Sequence, residues 1–193
     1  MSSGKKYTVK LRRKLEGKTN YIKRVKYLSA KKHRIVVRTH LNNIILQLVK
    51  FDSQQDRVII TTHSKELKKY GWPYHRGNIP SSYLTGYLFG KKLVKNKIPE
   101  VIIDFGVFTP VKKSRSYAAL KGVIDAGVQT NHTQEDIFPE ESKLVGNHIK
   151  DYFTNFTTIQ THQFSRYKQK NLDISKIEVV SKEVKNLINK EIQ

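Results

Sequence analysis

The sequence predicts an α/β fold: a mixed sheet, built from an antiparallel meander plus a crossover strand, packed with helices and flanked by a basic N-terminal arm and a helical C-terminal extension. Three observations carry this expectation. Residues 33–62 hold three β-branched runs separated by short polar turns. After residue 64, helical and strand patterns alternate. Basic residues crowd into the first fifth of the chain. A length of 193 residues suffices for one sizeable domain with extensions. Composition divides it into an arm over 1–18, a core over 19–130 and an extension over 131–193.

The first 14 residues read as an extended basic arm, too charged and too short to bury a core of its own. Thr19 or Asn20 is placed to cap a helix running to about Ser29. Tyr21, Val25 and Leu28 form its apolar stripe, with Lys23, Arg24 and Lys26 mostly elsewhere. His33–Thr39, Asn43–Phe51 and Arg57–Thr62 read as strands of a meander, joined by turns at Asn42–Asn43 and Ser53–Asp56. Ser64 opens a short helical stretch that Gly71 stops. Pro80 suits the first turn of a helix to about Asn96. Leu84, Leu88 and Val94 are expected on its buried side, with Tyr83 and Tyr87 beside them. Gly86 and Gly90 predict close packing of that helix on the sheet. Glu100–Asp104 is nearly all apolar and reads as a central strand. Ser114 or Ser116 then caps a helix ended by Gly127, completing a right-handed crossover. Further on, Val145–Phe156 reads as one helix. Ile177–Ile192 reads as another, with Val180, Val184, Leu187 and Ile188 as its apolar face and a partner as a source of its order.

Charge narrows the function. The formal net charge is +21, from 37 Lys plus Arg against 16 Asp plus Glu. Residues 1–38 hold 14 of those bases and a single acid, Glu16. A free domain gains nothing from such self-repulsion, whereas a polyanion relieves it. No amphipathic helix joins a strong apolar face to the basic cluster, and no run of about 18 apolar residues exists, so no membrane partner is expected. Met1–Lys14 lacks the apolar core of a signal peptide. With no cysteine, disulfides and thiolate zinc sites are excluded.

Catalysis finds little support. Asp104, at the end of a central strand, could in principle work with Asp125 and a histidine. Yet the seven histidines include no pair at a metal-ligating i, i+3 or i+4 spacing, and no phosphate loop or nucleophile elbow appears. Asp104 reads instead as a cap for the next turn, and Asp125 as a residue near its helix end. A DNA-binding reading lacks a helix-turn-helix or a basic recognition helix. Neither a cofactor nor a small-molecule substrate is expected. Trp72, beside Pro73 in a loop, could pack beneath that loop or face a partner.

Several phrases carry a resemblance. HRIVVRTHLNNIILQLV, THSKELKKYGW, NIPSSYLTGYLFGKK and SRSYAALKGVIDAG follow one another in this order. With LRRKLEGKTNYIKRVKYL before them and FSRYKQKNL after, they resemble the archaeal and eukaryotic branch of the eighteenth large-subunit ribosomal protein family. The last phrase looks specifically archaeal. The resemblance implies a structural, non-enzymatic protein of the cytoplasmic large ribosomal subunit. It further implies that the protein binds 5S rRNA and clamps it to the large rRNA in the central protuberance, beside the fifth large-subunit protein. Two departures stand out: family members often carry glycine where Lys113 stands, and Ile-Pro where Thr130 and Asn131 stand.

The RNA-binding candidates combine both arguments. They are Lys5, Lys6, Tyr7, Lys10, Arg12, Arg13, Lys14 and Lys18 in the arm; Tyr21, Lys23, Arg24, Lys26 and Tyr27 in the first helix; Arg34 and Arg38 in the first strand; and Lys112, Lys113 and Arg115 in the basic loop. Arginine suits bidentate phosphate grips and stacking better than lysine. Tyrosines suit stacking on unpaired bases, which is where proteins read RNA.

Overall fold

The computed structural model describes residues 8–53, 55–132, 134–155 and 164–192. A single helical turn, α1 (Arg12–Leu15), replaces the end of the expected extended arm. Helix α2 (Tyr21–Ser29) follows, its N-terminus capped by the Asn20 side chain, which accepts from Lys23 N. The described strands are β1 (Arg34–Thr39), β2 (Ile44–Asp52), β3 (Gln55–His63), β4 (Glu100–Asp104) and β5 (Gln129–Thr130). They form one sheet in the order β3-β2-β1-β4-β5. Strands β1, β2 and β3 are antiparallel neighbours, the expected meander. β4 lies parallel to β1, and β5 parallel to β4, so the sheet is mixed; its central strand is β1, and β4, expected there, lies one place nearer the edge, covered on its outer side by the two-residue β5.

Alternation sets the two faces of the sheet. Ile35, Val37, Ile44, Leu46, Leu48, Val101 and Ile103 are all buried on one face. Helices α3 (Ile79–Lys95) and α4 (Arg115–Asp125) cover them with Phe89, Leu93, Leu120 and Val123. Leu93 does the work expected of Val94, which is 47% exposed. The glycines serve helix-on-helix packing rather than helix-on-sheet packing. A Cβ at Gly86 would overlap the Ala119 carbonyl, one at Gly90 would sit 2.5 Å from Ala126 Cβ, and one at Gly122 would overlap the Tyr83 carbonyl. Three small residues therefore let α3 and α4 touch backbone to backbone.

The opposite side of α3 carries a second core. Tyr83, Leu84, Tyr87 and Leu88 join Trp72, Leu144, Ile177, Val184 and Ile188 there. The C-terminal region supplies α5 (Glu141–Val145), α6 (Asn147–Asn155), α7 (Ser165–Gln169) and α8 (Ile177–Glu191). The single helix expected from Val145 is broken by Gly146 at φ 107°, and Phe156 lies outside the described residues. Helix α8 packs on this chain's own α3. Tyr87 donates to Asn189 Oδ1 at 2.7 Å, and Lys185 Nζ donates to Tyr83 Oη at 2.7 Å. Lys185 also lies 4.9 Å and 5.2 Å from the Tyr87 and Tyr83 rings, a cation–π arrangement. Leu187, expected on the buried face, is 47% exposed, and Ser181 is buried instead.

The loops are fixed by side-chain caps. His63 opens the 3₁₀ turn Ser64–Tyr70: its Nδ1 accepts from Lys65 N at 2.9 Å while Glu66 accepts from His63 N at 2.9 Å. Gly71 ends it in the left-handed region at φ 83°. Trp72 is 2% exposed and donates to the His75 carbonyl, so it packs beneath its loop. His75 Nδ1 accepts from Gly77 N at 3.1 Å. Ser114 is the N-cap of α4 but makes no side-chain cap bond. Asn131 Oδ1 accepts from Ile103 N at 3.2 Å, which ties the departure from Ile-Pro to the edge of β4.

Replacing Gly86 with alanine forces α3 from α4. Overpacking costs about 1–3 kcal/mol and occasionally more, and backbone overlap puts this substitution near 3 kcal/mol, read as a lower urea midpoint. A second outcome concerns pH. Burial first, then neighbouring cations, hold His63 and His75 below the imidazole value of 6.5; burial likewise lowers His132 and His148. A depressed folded-state value means that the folded protein prefers neutral imidazole. That stability is fully present above 6.5 and is lost as pH falls through the folded values. Thermal melts should show a lower midpoint at about pH 5 than at about pH 7.5; a flat profile would contradict this assignment.

Candidate nucleic-acid interface

The described arm presents its bases to solvent. Lys10, Arg12, Arg13, Lys14 and Lys18 are all exposed. Glu16, the lone acid here, pairs with Arg12 at 3.1 Å and Lys18 at 2.8 Å, while Arg13 Nε donates to Thr19 at 2.9 Å. Lys5, Lys6 and Tyr7 lie outside the described residues.

Helix α2 sits differently from expectation. Its Val25 is 64% exposed and Ile22 is 70% exposed. The side turned to the body consists of Tyr21, Arg24, Tyr27 and Leu28, all partly buried. Polar contact thus replaces the apolar stripe. Lys23 and Lys26 are exposed on the outward side. Tyr27 is partly buried beside Asp104 and Arg34. Burial, then Asp104, raises its pKa, and Arg34 opposes the shift. It has less free ring for stacking than its sequence position implies.

Arg34 leaves the candidate set. Its side chain is 4% exposed, with Nη2 on Asp56 Oδ1 at 2.8 Å and Nη1 on Asp104 Oδ2 at 2.9 Å. A guanidinium held by two carboxylates inside the protein has no free fork for phosphate. Asp56 also accepts from Arg24 Nη1 at 2.6 Å. Burial alone would raise the Asp56 pKa, but hydrogen bonds and charge from Arg24 and Arg34 outweigh it and hold the carboxyl below its ordinary value. The sequence Arg24–Asp56–Arg34–Asp104 is a continuous ionic bridge from α2 across β3 and β1 to β4. Asp104 also accepts from Gly106 N at 2.7 Å, so it caps the turn as expected. Asp125 ends α4 and accepts from Tyr83 Oη at 2.8 Å. At the other end of α2, Lys32 pairs with Glu100 on β4.

The remaining candidates leave the sheet at the opposite end, where β1 and β4 both terminate. Arg38 is exposed on the face not covered by α3 and α4. Lys112 and Lys113 are exposed in the loop before α4, and Lys113 Nζ lies 3.6 Å from Glu140. Lys113 adopts φ 59°, the left-handed conformation that favours glycine. Arg115 is a staple: Nη1 donates to the carbonyls of Gly77 at 2.8 Å, His40 at 3.2 Å and Leu41 at 3.4 Å. Sequence reasoning passed over the anchoring acid Asp56. It also passed over Lys65, Arg76 and Arg166, whose charges reach His63 or His75 near this end. Their positions span a hundred residues, so no local pattern unites them.

Among the described residues, no group of three or more His, Asp or Glu side chains could hold a metal ion. No described helix is long and apolar enough to cross a membrane.

A family model described as ribosomal large subunit proteins 60S L5 and 50S L18 matches residues 5–102. The chain is 43% identical over 175 residues to a large ribosomal subunit protein uL18 from Korarchaeum cryptofilum, covering 90% of this chain and 89% of the relative. It is 42% identical over 168 residues to the uL18 of Methanothrix thermoacetophila, covering 87% of this chain and 98% of the relative. At these identities over most of its length, the chain belongs to this family of large-subunit ribosomal proteins, structural components of the ribosome rather than enzymes.

Proposed function

We propose that this protein binds 5S rRNA and anchors it to the large rRNA in the central protuberance of the cytoplasmic large subunit, beside the fifth large-subunit protein. The arm (1–18) supplies phosphate contacts, the core (19–130) holds the RNA-facing surfaces in place, and the extension (131–193) buttresses α3. The observation that carries this reading is the docking of α2. Arg24 spends its charge on Asp56, and this leaves Lys10, Arg12, Arg13, Lys14, Lys18, Lys23 and Lys26 facing outward from a fixed base. Lys5, Lys6 and Tyr7 continue that surface in sequence. Tyr21 and Tyr27 offer ring edges to unpaired bases, and exposed Ile22 and Val25 offer apolar contact. Lys112 and Lys113 form a smaller basic loop, and Arg38 an exposed base near it. Arg115 acts there by holding three loops together. Recognition then depends on irregular RNA shape, because A-form grooves hide base edges.

Each phosphate neutralised steepens the dependence of affinity on salt by about 0.7–0.9 in log–log slope. Changing Arg12 and Arg13 to alanine should reduce the slope for 5S rRNA by about 1.5 and leave the melting temperature unchanged, because neither side chain is buried. An unaltered slope would remove the arm from the interface. Changing Lys113 to glycine should stabilise the protein by about 1 kcal/mol, by relieving the left-handed backbone. Chemical denaturation reads that gain, and a loss of stability would refute the strain assigned to Lys113.

A further inference from the structure

We propose that Asp56 is a positioning residue for RNA binding: an acid that strengthens the protein's hold on a polyanion, acting through Arg24 to fix helix α2 and the basic leader joined to it. This rests on the reading of the outward bases of the arm and of α2 as the 5S rRNA surface.

Helix α2 needs a seat that it cannot build for itself. At nine residues it is shorter than the roughly 12–15 residues at which isolated helices become even marginal in water. Its order therefore comes from what it touches. No residue of α2 is buried, and Ile22 and Val25 are exposed. Two ion pairs stand where an apolar seat was expected. Arg24 Nη1 lies 2.6 Å from Asp56 Oδ2 near the start of β3. Just past the other end of the helix, Lys32 meets Glu100 on β4. Strands β2 and β1 separate β3 from β4, so α2 is tied to the sheet at two distant points.

The two ties are not equal. Lys32 and Glu100 have side chains 47% and 51% exposed, and an ion pair so open to water contributes little. Asp56 is held from behind. Its Oδ1 accepts from Arg34 Nη2 at 2.8 Å, and Nη1 of the same guanidinium is on Asp104 Oδ2 at 2.9 Å. The Arg34 side chain is 4% exposed, so its rigid planar fork keeps the Asp56 carboxylate in one orientation, with Oδ2 left for α2. Most surface pairs lose their gain to the ordering of two mobile side chains; here the acid is already ordered. The rival role for Asp56 is that of a neutraliser, taking up an arginine that would otherwise grip phosphate. Burial argues against it. Arg24 is 29% exposed and shares the body-facing side with Tyr21, Tyr27 and Leu28, while Lys23 and Lys26 of the same helix are exposed. Freeing Arg24 adds one cation to the surface. Unseating α2 loosens the placement of Lys23, Lys26 and every base before them, and the larger effect decides the sign.

The test is a double-mutant cycle in the full chain, with 5S rRNA binding followed against salt and amide exchange of α2 followed without RNA. Asp56→Asn removes a negative charge, and charge alone would tighten binding. The seat predicts the opposite: affinity falls about five-fold at the parent salt slope, since the same phosphates are met after an added ordering step. In an Arg24→Ala background the same substitution should weaken binding no further, because the path through Arg24 is already cut. Asp56→Glu should recover most of the parent affinity. Arg24→Ala leaves Arg34 both its acids, so without RNA it should speed exchange of the α2 amides while β1 and β2 keep parent protection. Tighter binding by Asp56→Asn with a slope steeper by about 0.7–0.9 overturns the proposal in favour of the neutraliser. An equal loss in both Arg24 backgrounds, or parent-like α2 exchange in Arg24→Ala, overturns it as well. Should the parent prefer 5S rRNA no more than bulk RNA, the 5S reading fails, and the same cycle read on bulk RNA still judges Asp56.

Discussion

Arg34 is 3% exposed, and a buried guanidinium left without partners costs several kcal/mol. The fold meets that demand with one carboxylate from β3 and one from β4, the strands on either side of the β1–β2 pair. The consequence reaches beyond Arg34. Asp56 has two oxygens, and the second one holds Arg24 of α2. Whatever keeps Arg34 satisfied therefore also keeps the basic leader's helix in place. Burial of such a group is weak evidence for stability in itself, since well-packed apolar residues often do as well. The ionic bridge is better understood as a specifier: it fixes where α2 lies on a sheet face that offers little apolar surface to grip. The Nε of Arg34 has no hydrogen-bond partner, so the arrangement favours position over complete satisfaction.

The placement of the acids follows the same logic. A chain of net charge +21 repels itself, and its carboxylates could have been spread to soften that. Instead Asp56, Asp104, Glu100 and Glu66 each join elements distant in sequence. These four acids act as joints, while Glu16, Asp125, Asp173 and Glu178 pair with bases two to four residues away. The repulsion that results is borne by a core whose helices touch at Gly86, Gly90 and Gly122, where dispersion contacts are dense.

Periodicity made the strands, the two long helices and the sheet's mixed character legible, because the β-branched runs around Ile35, Val37 and Leu46, bounded by polar turns, survive into the fold. What it could not convey was which neighbour each face meets. Gly86 and Gly90 signalled a close approach, but only the tertiary arrangement names α4 as the other surface. Val25 continued an apolar stripe on paper, yet the face of α2 that docks is set by Arg24 reaching Asp56, 32 residues away. Val94 was misplaced by a single position around its helix, an error of about 100°, and Leu187 stood beside the buried Ile188 on a face that the fold completes with Ser181. Arg34 looked like every other base of the leader. Its burial depends on carboxylates 22 and 70 residues further on, which no local window contains. Lys113 is the reverse case: its departure from glycine was visible in the sequence, and its φ of 59° supplies the physical reason.

The two ends of the sheet differ in what they must spend on binding. Residues 8–18 are exposed throughout, so ordering them against RNA costs about 1–2 kcal/mol of backbone entropy per residue. Contacts formed there are offset by that cost, and their net contribution is chiefly a steep dependence on salt. The loops around His63 and His75 are already held by capping hydrogen bonds and by the Arg115 staple, so their backbone has no comparable ordering cost left to meet. A pre-ordered surface discriminates shape, because it cannot adapt to a wrong one. Between the two ends stands Arg34, whose two carboxylates prevent the leader's base from drifting relative to the sheet.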